Sequence, residues 1–450
     1  YIKPDLDGVS AADFDRSGEA ADRGLAAATA AEVRLKSLSV DAPTYAAWRS
    51  RWHPQSAQQR LSVDAIEIAN LRHVNPATIS RHIEQKLGEP LDVAALNRDL
   101  LRTYGDGYYE RVDYSMTRDG ERNVLRVMPV EKAWGPDYLR LGLNLNSTVT
   151  GRSSFSLRAA YQKTWLNSLG GELLYSAELG TNTGLGVDFY QPLDPAQRYF
   201  VDAAATMRRE TMALFVNDLR ISDYRNSVAR LDLSAGVNLG LMGQVRLGWR
   251  EERQKLEIET GLPILPTDLL SSSGSFVALE MDQRDQLHVA ANGWSARASL
   301  FESSRGNYNR LNLVLDGTLQ VKDWVLGVRG TYTGSTYGIL PPQDMGRLGG
   351  FLNLSGFAND QLMGNKVSYG HIRAERIFGR MPLGVRGDLR LGLALEAGQV
   401  GAPISEPDRT GILNSVLVYG RAETPIGPAY VGLGRSGSGS VNAYVFIGTP

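Results

Sequence analysis

From residue 137 onward the chain alternates. Leu139, Leu141, Leu143 and Leu145 stand against Arg140, Gly142, Asn144 and Asn146. The two-residue period returns with Leu231, Leu233, Ala235, Val237 and Leu239 set against Arg230, Asp232, Ser234, Gly236 and Asn238. It returns again at Leu311, Leu313 and Leu315 beside Asn312 and Asp316, and at Leu389, Leu391, Leu393 and Leu395 beside Asp388, Arg390 and Glu396. Successive side chains of a strand point to opposite faces, so each run builds a sheet with one apolar and one polar face. The runs are about 8–12 residues long, near the reach of a tilted membrane-crossing strand and longer than the usual soluble strand of about 5–6. A soluble β-sandwich or propeller would alternate too. Full charges such as Arg140, Asp232, Arg390 and Glu396 on the second face suit a wet lumen instead. The pattern predicts a mainly β fold: a transmembrane antiparallel β-barrel of about sixteen strands over residues 135–450.

Residues 59–134 carry another rhythm, strand, helix, helix, strand, strand, and predict one small α+β domain. Val63, Ala65 and Ile66-Glu67-Ile68 open it. Asn75 caps a helix with Pro76 at its first position, and Ile79, Ile83 and Leu87 recur at helical spacing until Gly88. Asp92 begins a second helix through Val93, Leu96, Leu100 and Leu101, which ends at Gly105-Asp106-Gly107. Strands Tyr108–Thr117 and Asn123–Val130 follow, joined through Asp119-Gly120, a hairpin signal. Residues 1–58 form an Ala-rich helical N-terminal segment. A helix is expected to run to about Leu38, with Asp13 and Ser17 as cap candidates and a buried stripe through Phe14, Leu25, Val33, Leu35 and Leu38. Trp48 and Trp52 mark a second short helix, and 53–60 reads as a linker.

Composition bears on function more than on fold. The net charge is −1 with the signs well mixed, which leaves no footprint for nucleic acid. Cysteine is absent, so disulfides and thiolate metal sites are excluded. His53, His73, His82, His288 and His371 show no metal-ligand spacing, and no metal or cofactor is expected. No apolar run approaches the roughly 20 residues of a membrane helix. The 48 glycines and a mean hydropathy of −0.24 fit a barrel that hides its apolar residues at alternate positions. The opening Tyr1-Ile-Lys-Pro-Asp-Leu reads as mid-domain, without a signal peptide, so a fragment or processed form is expected.

Several motifs go further. The Leu61–Lys132 unit, with its turn Asn70-Leu71-Arg72-His73-Val74-Asn75-Pro76, resembles a POTRA (polypeptide-transport-associated) module. Such a module offers a sheet edge to which an unfolded polypeptide can add by backbone hydrogen bonds. Asp282-Gln283-Arg284-Asp285 followed by Gly293-Trp294 resembles the D-x-R-D…G-W pattern of BamA-like and two-partner-secretion barrels. After the Pro- and Gly-rich stretch 338–350, Phe351-Leu352-Asn353-Leu354-Ser355-Gly356-Phe357 resembles the tip of that superfamily's sixth extracellular loop. The resemblance implies a loop folded back into the lumen, where the family's arginine pairs with an acid on the wall. Ser355 stands at the arginine's position, so that ion pair cannot form as such and the anchoring of the loop stays open. The stretch from Gly364 to Arg376 is similar to the strand that follows; its adjacent Glu375 and Arg376 must face opposite sides, one of them suited to a girdle at the rim. Thr424-Pro425-Ile426-Gly427-Pro428 resembles the family's turn before the last strand, here Val441–Ile447. The chain then ends Gly448-Thr449-Pro450 without the family's final aromatic residue. Tyr444 and Phe446 are the candidates for the signal read by the assembly machinery.

Ile2-Lys3-Pro4-Asp5-Leu6, Ser10-Ala11-Ala12-Asp13-Phe14 and the Ala-rich helix resemble the tail of a patatin-like phospholipase. In this order the whole chain resembles the translocator part of a fused type V secretion protein, an autotransporter-like bacterial surface antigen. The resemblance implies an outer-membrane pore that exports its own lipolytic passenger, with the POTRA in the periplasm guiding the unfolded chain and the passenger delivered to the cell surface. Implied partners are that passenger, the lipid bilayer, the barrel-assembly machinery and periplasmic chaperones, with room for a homo-oligomer. The alternatives are a barrel that permanently anchors a surface phospholipase, or one that assembles other barrels. Patatin chemistry needs a G-x-S-x-G elbow, and none occurs: Gly434-Arg435-Ser436-Gly437-Ser438 lacks the closing glycine. This chain is therefore expected not to be an enzyme, whereas a parent with the catalytic half upstream would be a lipid acyl hydrolase.

Overall fold

The computed structural model describes all residues except 1, 8, 10–16, 53–61, 134–136, 149–152, 287–289, 381–387, 425–426 and 449–450. The cap candidate Asp13, Phe14, the linker 53–60, His288 and residues 425–426 of the turn motif at 424–428 lie outside the described residues.

Three helices come first, α1 (Ser17–Ala30), α2 (Glu32–Lys36) and α3 (Ala42–Trp52). The helix expected to reach Leu38 breaks at Ala31, and the stripe expected to be buried is not: Leu25, Val33 and Leu38 are exposed. A stripe is buried only if something faces it. Here the large apolar residues are few and α1 is rich in alanine, which gains little by burial.

The α+β unit comprises β1 (Ala65–Ile68), α4 (Pro76–Ser80), α5 (Val93–Gly105), β2 (Tyr109–Asp119) and β3 (Arg122–Glu131). The central strand is β3, parallel to β1 and antiparallel to β2. Asn75 Oδ1 accepts from the Ala77 N–H at 2.9 Å, and Asp92 caps α5 by accepting from the Ala95 N–H at 3.0 Å, as expected. Gly120 opens the two-residue β2–β3 loop with φ 62, the sign such a turn requires of its first residue. The helix predicted up to Gly88 stops at Ser80. The His82 ring is drawn to Asp106 at 3.1 Å and the Glu84 N–H to Asp99 at 2.9 Å, which turns the chain off the helical path. Ile79 still packs with Val63, Leu96 and Leu125.

The rest is β-sheet: β4 (Asp137–Thr148), β5 (Ser154–Lys163), β6 (Glu172–Gly180), β7 (Thr183–Pro192), β8 (Tyr199–Val216) and β9 (Leu219–Asn238). Then come β10 (Gly243–Gly261), β11 (Leu270–Asp282), β12 (Gly293–Ser303), β13 (Asn309–Val321) and β14 (Trp324–Gly334). The last are β15 (Gly346–Leu348), β16 (Leu362–Arg380), β17 (Asp388–Ser405), β18 (Ile412–Thr424), β19 (Gly427–Ser436) and β20 (Val441–Ile447). Each long strand pairs antiparallel with the next and β20 returns to β4, closing a sixteen-stranded barrel; β15 is a short rung beside β16.

The alternation sorts as its period requires. Leu391 is 56% exposed on the outside while its neighbour Arg390 is 4% exposed inside. Arg376 faces out, 5.9 Å over the Trp324 ring, and Glu375 faces in. On β8 the outward positions are apolar from Tyr199 to Met207 and turn polar at Arg209 and Thr211; on β10 the switch falls between Trp249 and Glu251. An apolar band of about nine residues matches a tilted membrane strand, and the long strands rise beyond it. The α+β unit sits on the turns at the opposite end. Tyr108 donates to Glu172 at 3.0 Å and meets Trp165 edge-on at 5.5 Å, and Arg81 donates to the Ala196 carbonyl at 3.1 Å.

Candidate functional site

The chain between β14 and β16 enters from the end away from the α+β unit and folds into the lumen. At its tip stand the motif residues Leu354, Ser355, Gly356 and Phe357, all buried. The Ser355 N–H donates to Glu396 Oε2 at 2.6 Å, and the Ser355 hydroxyl donates to the same oxygen. The Tyr369 hydroxyl donates to Glu396 Oε1 at 3.0 Å. Ser355 therefore meets an acidic partner on the wall through two hydrogen bonds. Next to it, the Gly356 N–H donates to Ser415 Oγ at 3.1 Å, and Asn442 donates to the Gly356 carbonyl at 2.9 Å. A Cβ on Gly356 would lie 2.1 Å from the Ser436 nitrogen, and one on Gly434 would lie 2.3 Å from the Ser355 oxygen. Two glycines, one on the tip and one on the wall, let the backbones touch.

Tyr444 and Phe446 meet the same loop. The Tyr444 hydroxyl donates to the carbonyls of Ser355 at 2.7 Å and Phe357 at 3.1 Å. Phe446 stacks on Tyr430 at 4.5 Å, and Phe351 inserts edge-on against Phe446, Tyr419, Tyr430 and Tyr444 at 4.7–5.7 Å. Contacts of this kind contribute about 0.5–1.5 kcal/mol each beyond burial. Both candidate end-strand aromatics thus point inward and are buried against the loop.

Below this box, Glu375 is enclosed by donors: Arg373 at 2.8 Å, Arg421 at 3.1 Å, Arg390 at 3.3 Å and the Tyr419 hydroxyl at 2.6 Å. The base of the loop is fastened to other walls. Asp344 pairs with Arg310 of β13 and accepts from Gln254 of β10 at 2.9 Å and from the Tyr308 hydroxyl at 3.2 Å. Gln361 donates to Asp218 at 2.7 Å. The loop therefore lies across the lumen, held at both ends. Between it and the wall remains a cavity of about 430 Å³ bordered by Arg284, Asp316, Arg329 and His371.

The other sequence candidates build turns at the end that carries the α+β unit. Asp282 accepts from the Arg284 side chain at 2.8 Å, and Asp285 accepts from the Ala291 and Asn292 N–H groups at 2.9 and 3.0 Å. Gly293, at φ 110, leaves room for the Gln283 carbonyl, which a Cβ would approach to 2.2 Å. Of these residues Arg284 alone borders the lumenal cavity. Gly427 and Pro428 open β19 and pair with Thr424 and Glu423 of β18, and the Pro428 carbonyl accepts from the Gly448 N–H at 2.8 Å. Sequence reasoning missed Glu396, Ser415 and Asn442 as receptors of the tip, and Arg310 and Asp344 as the second fastening. Charge at inward positions of alternating strands was the available signal for Glu396 and Arg310.

No protein-family model matches the chain, and no curated protein matches it. Among solved structures, the fold is similar to BamA from Haemophilus ducreyi lacking POTRA domains 1-3, at 15% identity and TM-score 0.64, over 87% of this chain and 84% of that one. It is also similar to CdiB from Acinetobacter baumannii (12% identity, TM-score 0.55, 86% of this chain and 74% of that one). CdiB from Escherichia coli gives 11% identity and TM-score 0.53 over 87% of this chain and 92% of that one. Identities this low carry the fold, and it is the closed barrel with an α+β unit beneath it.

Proposed function

We propose that the chain is an outer-membrane polypeptide-translocation pore, held shut at rest by its lumenal loop. The observation that carries this reading is the seating of Ser355-Gly356 on Glu396 and Ser415, inside a barrel whose outer face is an apolar band. A polar lumen keeps an unfolded chain hydrated, and a closure made of hydrogen bonds opens without unfolding the barrel. The α+β unit acts as a POTRA module in the periplasm. Its edge strand β2 offers unpaired backbone groups to an extended client beside the barrel mouth.

In the finer reading the client is the chain's own upstream passenger, a patatin-like lipolytic domain whose tail is α1–α3, and the barrel delivers it to the cell surface. The test is protease shaving of intact bacteria carrying the natural parent protein. Surface cleavage of the passenger is expected, and it should be lost when the barrel is removed; a passenger confined to the periplasm overturns the reading. Deleting Leu348–Asp360 is expected to raise the conductance of the purified barrel in planar bilayers. An unchanged current would show that the loop is no plug. The likeness to BamA favours a second reading, assembly of other barrels, which predicts that loss of the protein depletes unrelated outer-membrane barrels.

A further inference from the structure

The outside of the barrel is indented along one diagonal. Outward positions Ala159, Ala177, Ala205 and Ala229, on β5, β6, β8 and β9, form the floor of an apolar groove of about 750 Å³. One end lies at Tyr161 and Tyr175, whose rings stack at 6.3 Å. The other end lies at Arg253, where the outward face of β8–β10 turns from apolar to charged. Register places Arg209 beside it: Arg209 is opposite Ser227, and Arg253 is opposite Ala229 on the same face of β9. Two strand spacings of about 4.8 Å and a two-residue offset of about 7 Å along the strands separate them, a diagonal that two arginine side chains can close around a shared ligand.

The charges around them are already matched. Glu257 is paired with Lys255 at 2.9 Å, Glu259 with Arg225, and Glu251 with Arg305 at 3.4 Å. Arg209 and Arg253 make no hydrogen bond or ion pair among the described residues, and both are exposed. Two exposed guanidinium groups without a hydrogen-bonded partner among the described residues, at the polar edge of an apolar groove, match one kind of molecule, with an oxyanion at its head and a hydrocarbon chain behind it. A second copy of the chain fits less well, since a two-fold contact would bring the same cations face to face.

We infer that this face binds one anionic membrane lipid, its phosphate between Arg209 and Arg253 and its acyl chain along the alanine floor. The inference rests on the outer-membrane reading. The experiment uses the full chain, purified in nonionic detergent and also reconstituted into vesicles. Phosphatidylglycerol and phosphatidylcholine of identical chains are offered to it, and retained lipid is counted by native mass spectrometry. The expected result is one bound phosphatidylglycerol per chain, retained about tenfold better than phosphatidylcholine. The Arg209→Gln/Arg253→Gln variant should lose the preference, and Ala177→Phe/Ala205→Phe should lose both lipids while still inserting, because its added bulk is apolar. Equal retention of the two lipids by the wild type, a preference that survives in the glutamine variant, or a dimer in place of the lipid adduct would overturn the lipid site and leave the outer-membrane reading standing. Failure to enter vesicles of either lipid would remove the outer-membrane reading, and the lipid site with it.

Discussion

Strands β8 and β9 hold each other through eighteen residue pairs and β9 and β10 through seventeen, whereas β20 meets β4 through four among the described residues. The long wall rises past the apolar band and carries its own buried core, with Met212, Tyr224 and Leu256 packed inside. The short seam has seven residues in β20 to offer, and part of what would be its packing is supplied by the loop, through Tyr444 and Phe446. Antiparallel pairing contributes per rung, so stability is spread unevenly around the ring. The tip of the loop is seated on the shorter-paired side, where Tyr444 and Phe446 of the seam strand hold it.

The largest expected effect tests whether the long wall faces lipid. Leu233 sits at the centre of the outward band on β9, and Leu233→Arg is expected to cost about 2–4 kcal/mol and to block insertion into vesicles. Lumenal Asn312→Arg should insert normally. Equal insertion of the two variants would abolish the assignment of faces. A pair of cysteine staples then separates the two sides. Leu145→Cys/Ile447→Cys bridges the seam, and Ala203→Cys/Leu233→Cys bridges the wall at opposed positions of the same kind. The seam staple is expected to suppress transport until reduced and the wall staple to leave it intact. If both are silent, the seam has no part in transport.

A smaller effect is expected at the loop. Glu396→Ala removes the acceptor of both Ser355 donors and of Tyr369 and should weaken the seat by about 1–3 kcal/mol. It would be read as more frequent open events in single-channel recordings, with Ser355→Ala milder because its N–H remains. The smallest effect lies outside the barrel. Burial works against the Glu131 carboxylate, but N–H donors from Val74, His73 and Arg72 outweigh it and hold its pKa below the ordinary glutamate range. A depressed carboxylate contributes stability that is present above the unfolded pKa and lost as pH falls through the folded one. Protection of the amides of residues 72–74 from hydrogen exchange, relative to their intrinsic rates, should therefore fall as the pH drops through the acidic side of the ordinary glutamate range, and Glu131→Gln should show reduced protection already at neutral pH.

The barrel was legible because its signal is local. A two-residue period sorts residues into faces without knowledge of any partner, and the exposures of Leu391 and Arg390 follow it. Caps were legible for the same reason, since Asn75 and Asp92 act on N–H groups two or three residues away. The length of the helix after Pro76 was not, because His82 and Glu84 are held by α5 and the residues just after it. The buried stripe expected through Leu25 and Val33 failed from the opposite cause, a face over which nothing is laid among the described residues.

At the candidate site, the sequence by itself determined that Glu396 lies on the polar face, that the 338–350 stretch is too long for a tight turn, and that Ser355 carries no charge. Tertiary structure alone decided that Ser355 meets Glu396 across 41 positions and Tyr444 across 89. Closure of the ring brings β17, β18, β19 and β20 around one loop, and such contacts depend on curvature and stagger that no window of sequence encodes.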